Sequence, residues 1–574
     1  MKTTKRENKS GTVRYLHLAH NEWDPVKGRA VPRVLFTFGR EDDLDRDAVK
    51  RLVASLSRLL EPGEALASTA AGDLEYVSSV PFGGTYALDH LWRRLKIDKI
   101  VGQVGQPKRG RRRDMSVTER VLFSLVANRA LAPSSKLAAA DWITHDVHVD
   151  GLPATDDDAC YRAMDWLHEV TDDLEKRVFD EVANLLNLEV DLLFFDTTST
   201  YFELEEPDEP AARDDKGRIL TDDHPPAEDD EEPADQAAGF RTFGKSKDSR
   251  DDLPQIVIGM AVTRDGIPVR VWSWPGNTGD QKLIRQVKDD MRDWTLSKIV
   301  WVTDRGFSSE RNRRYLRQGE NAYIVGEKLR SGSPEVKAAL SRQGRYGEIT
   351  GNMRVKEVKI SETERFVICH NPEAATRDQH IREQLVAQLT TLIEDTDRLS
   401  EFKRGELRGK IADRPGLNRY LRTTPAGKLR VDHAKIKAEE NLDGKYLLRC
   451  SDPDLSAEDI ALGYKQLLEV ERGWRDMKQI IDLRPVYHRL EERIRAHVVL
   501  CWLALLLIRI IETTTDATWQ SVRRELDRLH LGTFTGPTGL FRQVTTLTKP
   551  QTDLLAKLGI PTPKQIITLE PTPR

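Results

Sequence analysis

The stretch Val190-Asp-Leu-Leu-Phe-Phe-Asp196-Thr-Thr-Ser-Thr200 decides how the middle of this 574-residue chain is interpreted. Four apolar residues run directly into a carboxylate and a row of hydroxyl groups. A short apolar run of this kind, followed by small polar residues, is typical of a buried β-strand. A lone aspartate after a strand is usually a turn former. Asp196 is therefore a strong candidate for a functional residue only if other acidic residues occupy matching positions.

A second strand-like run has the same ending. Lys298-Ile-Val-Trp-Val-Thr-Asp304 again places a carboxylate after apolar residues, and Gly306 leaves space beside it. The alternative interpretation of Asp304 is a helix cap, but Ser308 and Ser309 already offer capping hydroxyls for the helix that follows. We therefore expect Asp196 and Asp304 to face one site.

A third acidic residue, Glu471, lies in a pattern that predicts one long helix through Tyr464 and Lys478. These three residues recur at steps of seven, so they stay within about 20° of each other per step on one helix face. The alternative interpretation of Glu471 is an ordinary solvated helix residue. A separate apolar stripe is predicted to pack against the core: Leu467, Val470, Trp474, Met477 and Ile481. Two aspartates after strands and a glutamate on a helix can share divalent cations.

The composition describes a well-folded chain of several domains, with 39% hydrophobic and 32% charged residues. The formal net charge of −4 conceals an uneven distribution, because residues 203–235 hold 15 Asp and Glu against three Lys and Arg. The remaining chain has 86 basic and 78 acidic residues. We expect residues 203–235 to be a disordered or loosely held loop. Any affinity for nucleic acid must come from local basic patches.

The cysteines and the apolar segments limit the cellular setting. The four cysteines show no C-x-x-C spacing, which argues against a zinc site and against disulfides, and suits a reducing cytoplasm. The start of the chain lacks the apolar segment of a signal peptide. The most apolar run, Val498 to Ile508, is too short to cross a bilayer. It predicts a buried helix, and no membrane partner is expected.

The change from helical to strand periodicity predicts an α/β protein with a mixed sheet, flanking helices, a helical N-terminal region and an α+β insertion. Strands are expected at 189–202, 255–263, 267–274, 298–304 and 321–327, and helices at about 46–61, 84–101, 115–185, 280–294 and 308–318. In the insertion we expect strands at 354–369, 428–433 and 445–450 and one polar helix at about 377–403. The expected domains are 1–110 (a hairpin at 12–39 and helices), 111–187 (helical, DNA-binding), 188–329 (the first core segment), 330–455 (insertion), 456–515 (the second core segment) and 516–574 (C-terminal tail region).

These residues together resemble the DDE transposases of bacterial insertion sequences, in the group with a Tyr-(2)-Arg-(3)-Glu-(6)-Lys signature. Tyr464, Glu471 and Lys478 hold the signature spacing, but Leu467 stands at the arginine position, and Lys465 or Arg475 could replace it. Further similar stretches are 244–259, 275–280, 304–307, 484–488 and 493–497. The resemblance covers roughly residues 115–330 and 445–515.

The resemblance implies a ribonuclease-H-like core with Asp196 on its first strand, Asp304 after its fourth and Glu471 on its last major helix. It implies that these three residues are the catalytic residues and bind two Mg²⁺ ions, with Mn²⁺ as an alternative. The implied reaction is cleavage of the element's ends followed by strand transfer into target DNA. Synapsis of two ends implies a dimer on DNA, in the cytoplasm at the nucleoid. No general-base histidine is needed, so His488 and His497 are expected to pack or to contact phosphate.

Candidate DNA contacts fall into three groups. Tyr464 and Lys478 could hold a phosphate beside Glu471. A basic stretch precedes the helices at 115–185, and a second one precedes the strand at 255–263. Their members are Lys108, Arg109, Arg111, Arg112 and Arg113, and Lys245, Lys247 and Arg250. The alternative interpretation of the first stretch is a solvated linker.

Other functions compete with a transposase. A ribonuclease-H-like nuclease or resolvase would cut DNA without joining strands. A domesticated, non-catalytic DNA-binding protein is disfavoured because all three carboxylates are present. A magnesium-dependent phosphatase lacks its second aspartate after Asp196, and the chain has no G-x-x-x-x-G-K-[ST] phosphate loop.

Overall fold

The computed structural model describes the chain except for residues 1, 9–10, 46, 48, 50–73, 108–109, 187, 189–190, 214–218, 220–238, 293, 295–297, 331, 350–351, 537–538 and 571–574. The described residues form two compact units. The first comprises residues 1–79, 532–543 and 566–574, and the second comprises residues 80–531 and 544–565. Each is described by itself.

The first unit is built on β-structure. Strands β1 (Lys2–Asn8), β2 (Gly11–Asp24) and β3 (Arg29–Arg40) form an antiparallel sheet, which confirms the predicted hairpin and adds a strand to it. A four-stranded sheet has the order β18-β17-β16-β4. Its strands are β4 (Glu75–Pro81), β16 (His530–Gly536), β17 (Gly539–Val544) and β18 (Ile566–Glu570). The predicted helix at 46–61 lies almost wholly outside the described residues.

The second unit begins with helices, as expected. They are α1 (Gly83–Arg94), α2 (Ile97–Val104), α3 (Ser116–Leu131), α4 (Lys136–Asp141) and α5 (Asp157–Leu186). The single helix predicted at 84–101 is wrong in one respect, because the chain breaks between α1 and α2. Lys96 adopts a left-handed conformation there (φ 55°), which an α-helix cannot accommodate.

A nine-stranded mixed sheet forms the centre of the second unit, in the order β10-β11-β12-β15-β9-β8-β5-β6-β7. All five strands predicted for the core are present: β5 (Leu192–Tyr201), β6 (Gln255–Thr263), β7 (Pro268–Pro275), β8 (Val300–Thr303) and β9 (Ala322–Glu327). Strand β5 pairs antiparallel with β6 and parallel with β8, and β8 pairs parallel with β9. The expected mixed sheet with flanking helices is confirmed.

Both faces of this sheet are covered, because successive side chains of a strand point to opposite faces. Leu192 and Phe194 belong to one buried core, and Leu193 and Phe195 belong to the other. Helices α6 (Asp280–Asp290) and α7 (Glu310–Leu316) supply apolar residues to the second core. This double burial explains why the deciding stretch is a continuous apolar run and not an alternating pattern.

Residues 330–455, which we expected to interrupt the core, extend its sheet. Strand β15 (Lys445–Cys450) pairs antiparallel with β9 and continues the sheet through β12 (Arg365–His370), β11 (Met353–Lys359) and β10 (Gly347–Ile349). The remaining elements are α8 (Pro334–Ser341), α9 (Pro372–Ile393), α10 (Glu401–Ala412), α11 (Pro415–Asn418), β13 (Leu421–Thr423), β14 (Leu429–Val431) and α12 (His433–Glu440). The single polar helix predicted at 377–403 is therefore two helices.

The last section of the second unit is helical. Its helices are α13 (Ala457–Lys465), α14 (Leu468–Gln479), α15 (Glu491–Thr515), α16 (Trp519–Leu526) and α17 (Lys549–Lys557). Helix α15 is long and apolar enough to cross a membrane by length and composition alone, but 94% of its most apolar window is buried inside the protein. The prediction of a buried helix around Val498 to Ile508 is confirmed.

The described portion of the acidic segment 203–235 is not loosely held. Arg213 donates two hydrogen bonds to the carboxylate of Glu491, at 3.0 and 2.7 Å. Asp208 pairs with Arg241 through charge-assisted hydrogen bonds. These pairs tie the start of the segment to the folded core, whereas residues 214–218 and 220–235 lie outside the described residues.

Candidate active site

Asp196 lies inside its strand, in the middle of the core sheet. The sequence had predicted that Asp196 ends this strand. It is the fifth residue of β5, and the strand continues through the hydroxyl residues to Tyr201. Its side chain is 23% exposed. Burial raises the pKa of Asp196 to about 6, opposed by Lys247 and reinforced by the neighbouring carboxylates of Asp304 and Asp280.

Asp304 follows β8 and lies beside Asp196. Because Phe195 is paired with Thr303 in the parallel ladder, the two aspartates are the next residues in register, on strands about 4.8 Å apart. The Asp304 side chain also accepts a hydrogen bond from the Arg305 backbone N–H at 2.6 Å and caps a short 3₁₀ turn. Asp304 therefore caps this turn and not α7, which Ser309 caps as expected.

Tyr464, in the last turn of α13, lies next to Asp304. Its hydroxyl group donates a hydrogen bond to Asp304 Oδ1 at 3.4 Å and lies over Gly326 of β9, where a side chain would collide with it. Burial raises the pKa of Tyr464, and the charge of Asp304 adds to that shift. The phenol is thus a protonated donor that faces one of the predicted carboxylates.

The helix that carries Glu471 differs from the prediction, because the chain turns at residues 466–467 and divides it into α13 and α14. All five residues of the predicted apolar stripe are nevertheless buried. Gly473 lets α14 approach the sheet closely, since a Cβ atom there would meet Met260 Cε at 2.6 Å. Met260 is the cross-strand partner of Asp196, so α14 covers the sheet beside that aspartate.

Glu471 itself is exposed. In the portion of the chain that the structure describes, no hydrogen bond or ion pair reaches its carboxylate. The sequence predicted that Glu471 joins both aspartates. The structure brings Asp196 and Asp304 together, and it brings the helix of Glu471 beside them without a direct contact.

Lys247 is the cation that lies among the carboxylates. Its ammonium group is 3.9 Å from Asp196 Oδ1 and 3.5 Å from Asp280 Oδ2. It also donates hydrogen bonds to the carbonyl and hydroxyl oxygens of Thr197. The Thr197 hydroxyl donates to Asp280 Oδ1 at 2.8 Å. Lys247 had been predicted to contact DNA, but in the structure it lies against the candidate metal ligands.

The donor set fits a hard divalent cation. Asp196, Asp304 and Asp280 offer oxygen atoms only, and oxygen is the ligand that Mg²⁺ and Mn²⁺ prefer. A positive charge, that of Lys247, is already held between two of them. Within the described ranges, no three His, Cys, Asp or Glu side chains converge closely enough to hold a metal ion in this conformation.

Lys478 lies on α14 in a second charge cluster next to the first. It donates hydrogen bonds to Asp248 Oδ1 and Oδ2 at 2.9 and 3.1 Å. Arg484, beyond the end of α14, donates to Asp248 Oδ2 at 3.0 Å and stacks 4.8 Å from the Tyr201 ring. Burial lowers the pKa of Lys478, whereas Asp248 opposes that shift. The predicted phosphate ligand Lys478 is therefore paired inside the protein.

The remaining predicted DNA contacts lie at the surface. Arg111, Arg112, Arg113 and Lys245 are exposed. Arg250 is paired with Asp252 at 2.8 Å and lies over the Tyr201 ring. Lys108 and Arg109 lie outside the described residues.

The two histidines are buried away from these clusters, in agreement with a packing role. His488 and His497 are 7% and 3% exposed, with ring centroids 5.6 Å apart. Burial lowers the pKa of His488 to about 3, so the imidazole is neutral at physiological pH.

Sequence reasoning missed the roles of three charged residues: Asp280, Asp248 and Arg484. Each lies in a stretch that had been singled out by resemblance, namely 275–280, 244–259 and 484–488. Their contacts join segments up to 236 residues apart, so no local pattern could assign them. The signal available was the motif membership of these residues.

Comparison with known proteins identifies the family. Residues 1–67 match the IS1634 family transposase N-terminal domain, and residues 260–507 match the transposase DDE domain. The second match includes Asp304 and Glu471 and begins after Asp196. No curated protein matches the chain. A cryo-EM structure of a piggyBac transposase synaptic complex with hairpin DNA is similar at 11% identity, with 78% of each chain covered and a TM-score of 0.33.

Divalent metal use and action on DNA accompany the DDE domain. The two domain matches agree with the sequence resemblance, and the core sheet agrees with the fold that the resemblance implied. The chain is a DDE-type transposase of an insertion sequence.

Proposed function

We propose that this transposase cleaves the ends of its insertion sequence and joins the freed 3′ ends to target DNA, with Asp196, Asp304 and Glu471 as the catalytic metal ligands. The observation that carries this proposal is the register of β5 and β8, which sets Asp196 and Asp304 side by side. The approach of α14 to Met260 supports the assignment of Glu471, because it brings that helix to the neighbour of Asp196.

Mg²⁺ is the proposed metal, bound as two ions, with Mn²⁺ as an alternative. Bound at these carboxylates, it would activate the attacking oxygen and stabilise the departing one during displacement at phosphorus. The chain's own residues set the conditions for this chemistry. Asp196 and Asp304 hold negative charge at one point of the sheet, and Tyr464 orients Asp304 by a hydrogen bond.

DNA contacts surround this centre in the proposal. Lys478 and Tyr464 contact the DNA backbone next to the scissile phosphate. Basic residues at the protein surface bind the DNA backbone farther away, namely the exposed Arg111, Arg112, Arg113 and Lys245 and the half-buried Arg250. We assign Lys108 and Arg109 to the same surface because they adjoin Arg111 in sequence. The active assembly is a dimer that holds two element ends, in the cytoplasm at the nucleoid.

Incubation of the protein with Mg²⁺ and labelled DNA that carries the element's terminal repeats tests this function. The expected products are 3′-end cleavage followed by labelled strands joined to target DNA. Nicks without joined strands would contradict transposition and favour a nuclease. Products that form equally well in EDTA would contradict the metal-dependent mechanism.

A further inference from the structure

One loop carries both charges that lie in the candidate site. The segment 244–252, which precedes β6, supplies Lys247 to the carboxylates and Asp248 to Lys478 and Arg484. The Lys247 backbone N–H donates to Ser199 Oγ at 2.9 Å, which fixes the loop to β5. Ser249 has a positive φ of 58°, a conformation that costs energy for a residue other than glycine. The loop is therefore held in a defined but strained shape.

The loop places each charge opposite an excess of the other sign. Lys247 is a single positive charge against Asp196 and Asp280, with Asp304 next in register. Asp248 is a single negative charge against two cations. Its two oxygen atoms accept hydrogen bonds from an ammonium group and a guanidinium group, which is how a phosphate is recognised.

Arg484 is placed to supply the phosphate contact of the signature arginine, whose position in this chain is occupied by Leu467. Leu467 stands at the signature arginine position and is buried in the core, so it cannot contact DNA. The two substitutes suggested by sequence, Lys465 and Arg475, are exposed. Arg484 shares its anionic partner with Lys478, and the Tyr201 ring supports its guanidinium group.

We propose that the loop 244–252 is an internal mimic of the metal and substrate: Lys247 takes the place of a divalent cation, and Asp248 takes the place of a DNA phosphate on Lys478 and Arg484. This inference rests on the proposed function, because it takes the two clusters as components of one DNA-cleaving site. It deepens that function by naming Arg484 as a phosphate ligand and the loop as the element that DNA and metal must displace. The DNA-free protein is thereby kept from binding metal and phosphate until both arrive.

The phosphate half is tested by DNA binding in EDTA, where no cleavage occurs. Asp248→Asn is expected to tighten binding of fluorescent element-end DNA by about tenfold. In the wild type, Asp248 already neutralises one of the two positive charges, so a phosphate that replaces it releases one salt ion fewer. Without that carboxylate the variant must release the additional ion, and its plot of log affinity against log salt should steepen by about 0.9.

Asp265→Asn is the matched control, because it removes the same charge from an exposed turn between β6 and β7. Equal affinities and equal salt slopes for Asp248→Asn and Asp265→Asn would overturn the proposal. If Asp248→Asn fails to fold, the same change is made in a Lys478→Gln background, where one cation remains. Tighter binding than Lys478→Gln alone supports the mimic, and unchanged or weaker binding overturns it.

The metal half is tested by calorimetric titration with Mn²⁺ without DNA. Lys247→Met is expected to bind Mn²⁺ several-fold more tightly than wild type, because no ammonium group then competes for Asp196 and Asp280. Its melting temperature should fall in EDTA and recover more strongly with Mn²⁺ than that of wild type. Lys245→Met is the control, because Lys245 belongs to the same loop and, among the described residues, only Lys247 of the two pairs with Asp196 and Asp280. Unchanged or weaker Mn²⁺ binding by Lys247→Met would overturn this half.

These tests and the test of the proposed function can fail separately. The binding experiments use metal-free DNA complexes or DNA-free metal complexes, so they do not depend on turnover. If the wild type neither cleaves nor joins DNA but the binding tests support the mimic, the proposed transposition reaction is wrong and the proposed metal and phosphate sites stand. If the protein cleaves and joins DNA but the binding tests contradict the mimic, the proposed reaction stands and the proposed role of the loop 244–252 is wrong.

Discussion

The site has a carboxylate end, around Asp196 and Asp304, and a cationic end, formed by Lys478 and Arg484. The two ends are built differently, although the loop 244–252 supplies an ion-pair partner to each. Asp196 and Asp304 lie at the core sheet, where burial and the neighbouring carboxylates disfavour ionisation of Asp196, and the charge of Lys247 offsets only a fraction of that cost. Lys478 and Arg484 lie on α14 and beyond its end, and they share one carboxylate. One end thus keeps an excess of negative charge and the other an excess of positive charge. The site therefore suits a dication at one end and an anion at the other.

The largest effect is expected at the carboxylate end. Asp196→Asn or Asp304→Asn should lower single-turnover cleavage of element-end DNA by about a thousandfold or more, because metal stabilisation of the transition state supplies several kcal/mol. DNA binding in EDTA should be retained. Cleavage within tenfold of wild type in either variant would exclude that residue from the metal site.

The cationic end should respond in binding more than in chemistry. Arg484→Gln is expected to weaken metal-free DNA binding by about tenfold and to reduce the salt slope by about 0.9, because one phosphate contact is lost. Arg475→Gln removes an exposed arginine of α14 and is the comparison variant. If Arg475→Gln causes the larger loss, then Arg475 and not Arg484 supplies the missing signature contact.

The affinity of the carboxylate end for Mn²⁺ should depend on pH. Asp196 has a pKa raised to about 6, so it is protonated below that pH and ionised above it. Since a metal needs the ionised form, Mn²⁺ affinity should fall by roughly tenfold per unit as the pH drops below 6. Titration calorimetry between pH 5 and 7.5 measures this. An Mn²⁺ affinity that stays constant over this range would show that Asp196 does not bind the ion.

The smallest effect is expected from Tyr464→Phe. The variant loses one hydrogen bond to Asp304, and that bond is long at 3.4 Å. A loss of about two- to tenfold in cleavage is expected, which corresponds to the net contribution of a single hydrogen bond. A larger loss, measured in the same cleavage assay, would indicate that the phenol acts directly on the substrate.

The core strands were predictable because their pattern depends on burial. Strand β6 was predicted at 255–263 and observed at Gln255–Thr263, and the position of the other four was also correct. Residues of β5 alternate between two apolar cores, which produces an apolar run that cannot be mistaken for a surface strand. The apolar stripe of Leu467 to Ile481 was recognisable for the same reason.

Other features could not be predicted because they depend on distant regions of the chain. The break between α13 and α14 has no proline or glycine to mark it, since residues 465–468 read Lys-Gln-Leu-Leu. The pairing of β15 with β9 joins strands more than 100 residues apart, so the insertion could not be recognised as a continuation of the core sheet. The partner of Lys478 likewise lies 230 residues away, at Asp248.

The central claim is that Glu471 joins Asp196 and Asp304 on the same metal ions. The direct test is Mn²⁺ titration, with element-end DNA present, of wild type, Asp304→Asn and Glu471→Gln. We predict that both substitutions weaken Mn²⁺ binding by tenfold or more, because each removes a charged ligand of the same ions. Wild-type Mn²⁺ binding by Glu471→Gln, together with a loss in Asp304→Asn, would contradict the claim and restrict the metal site to the sheet.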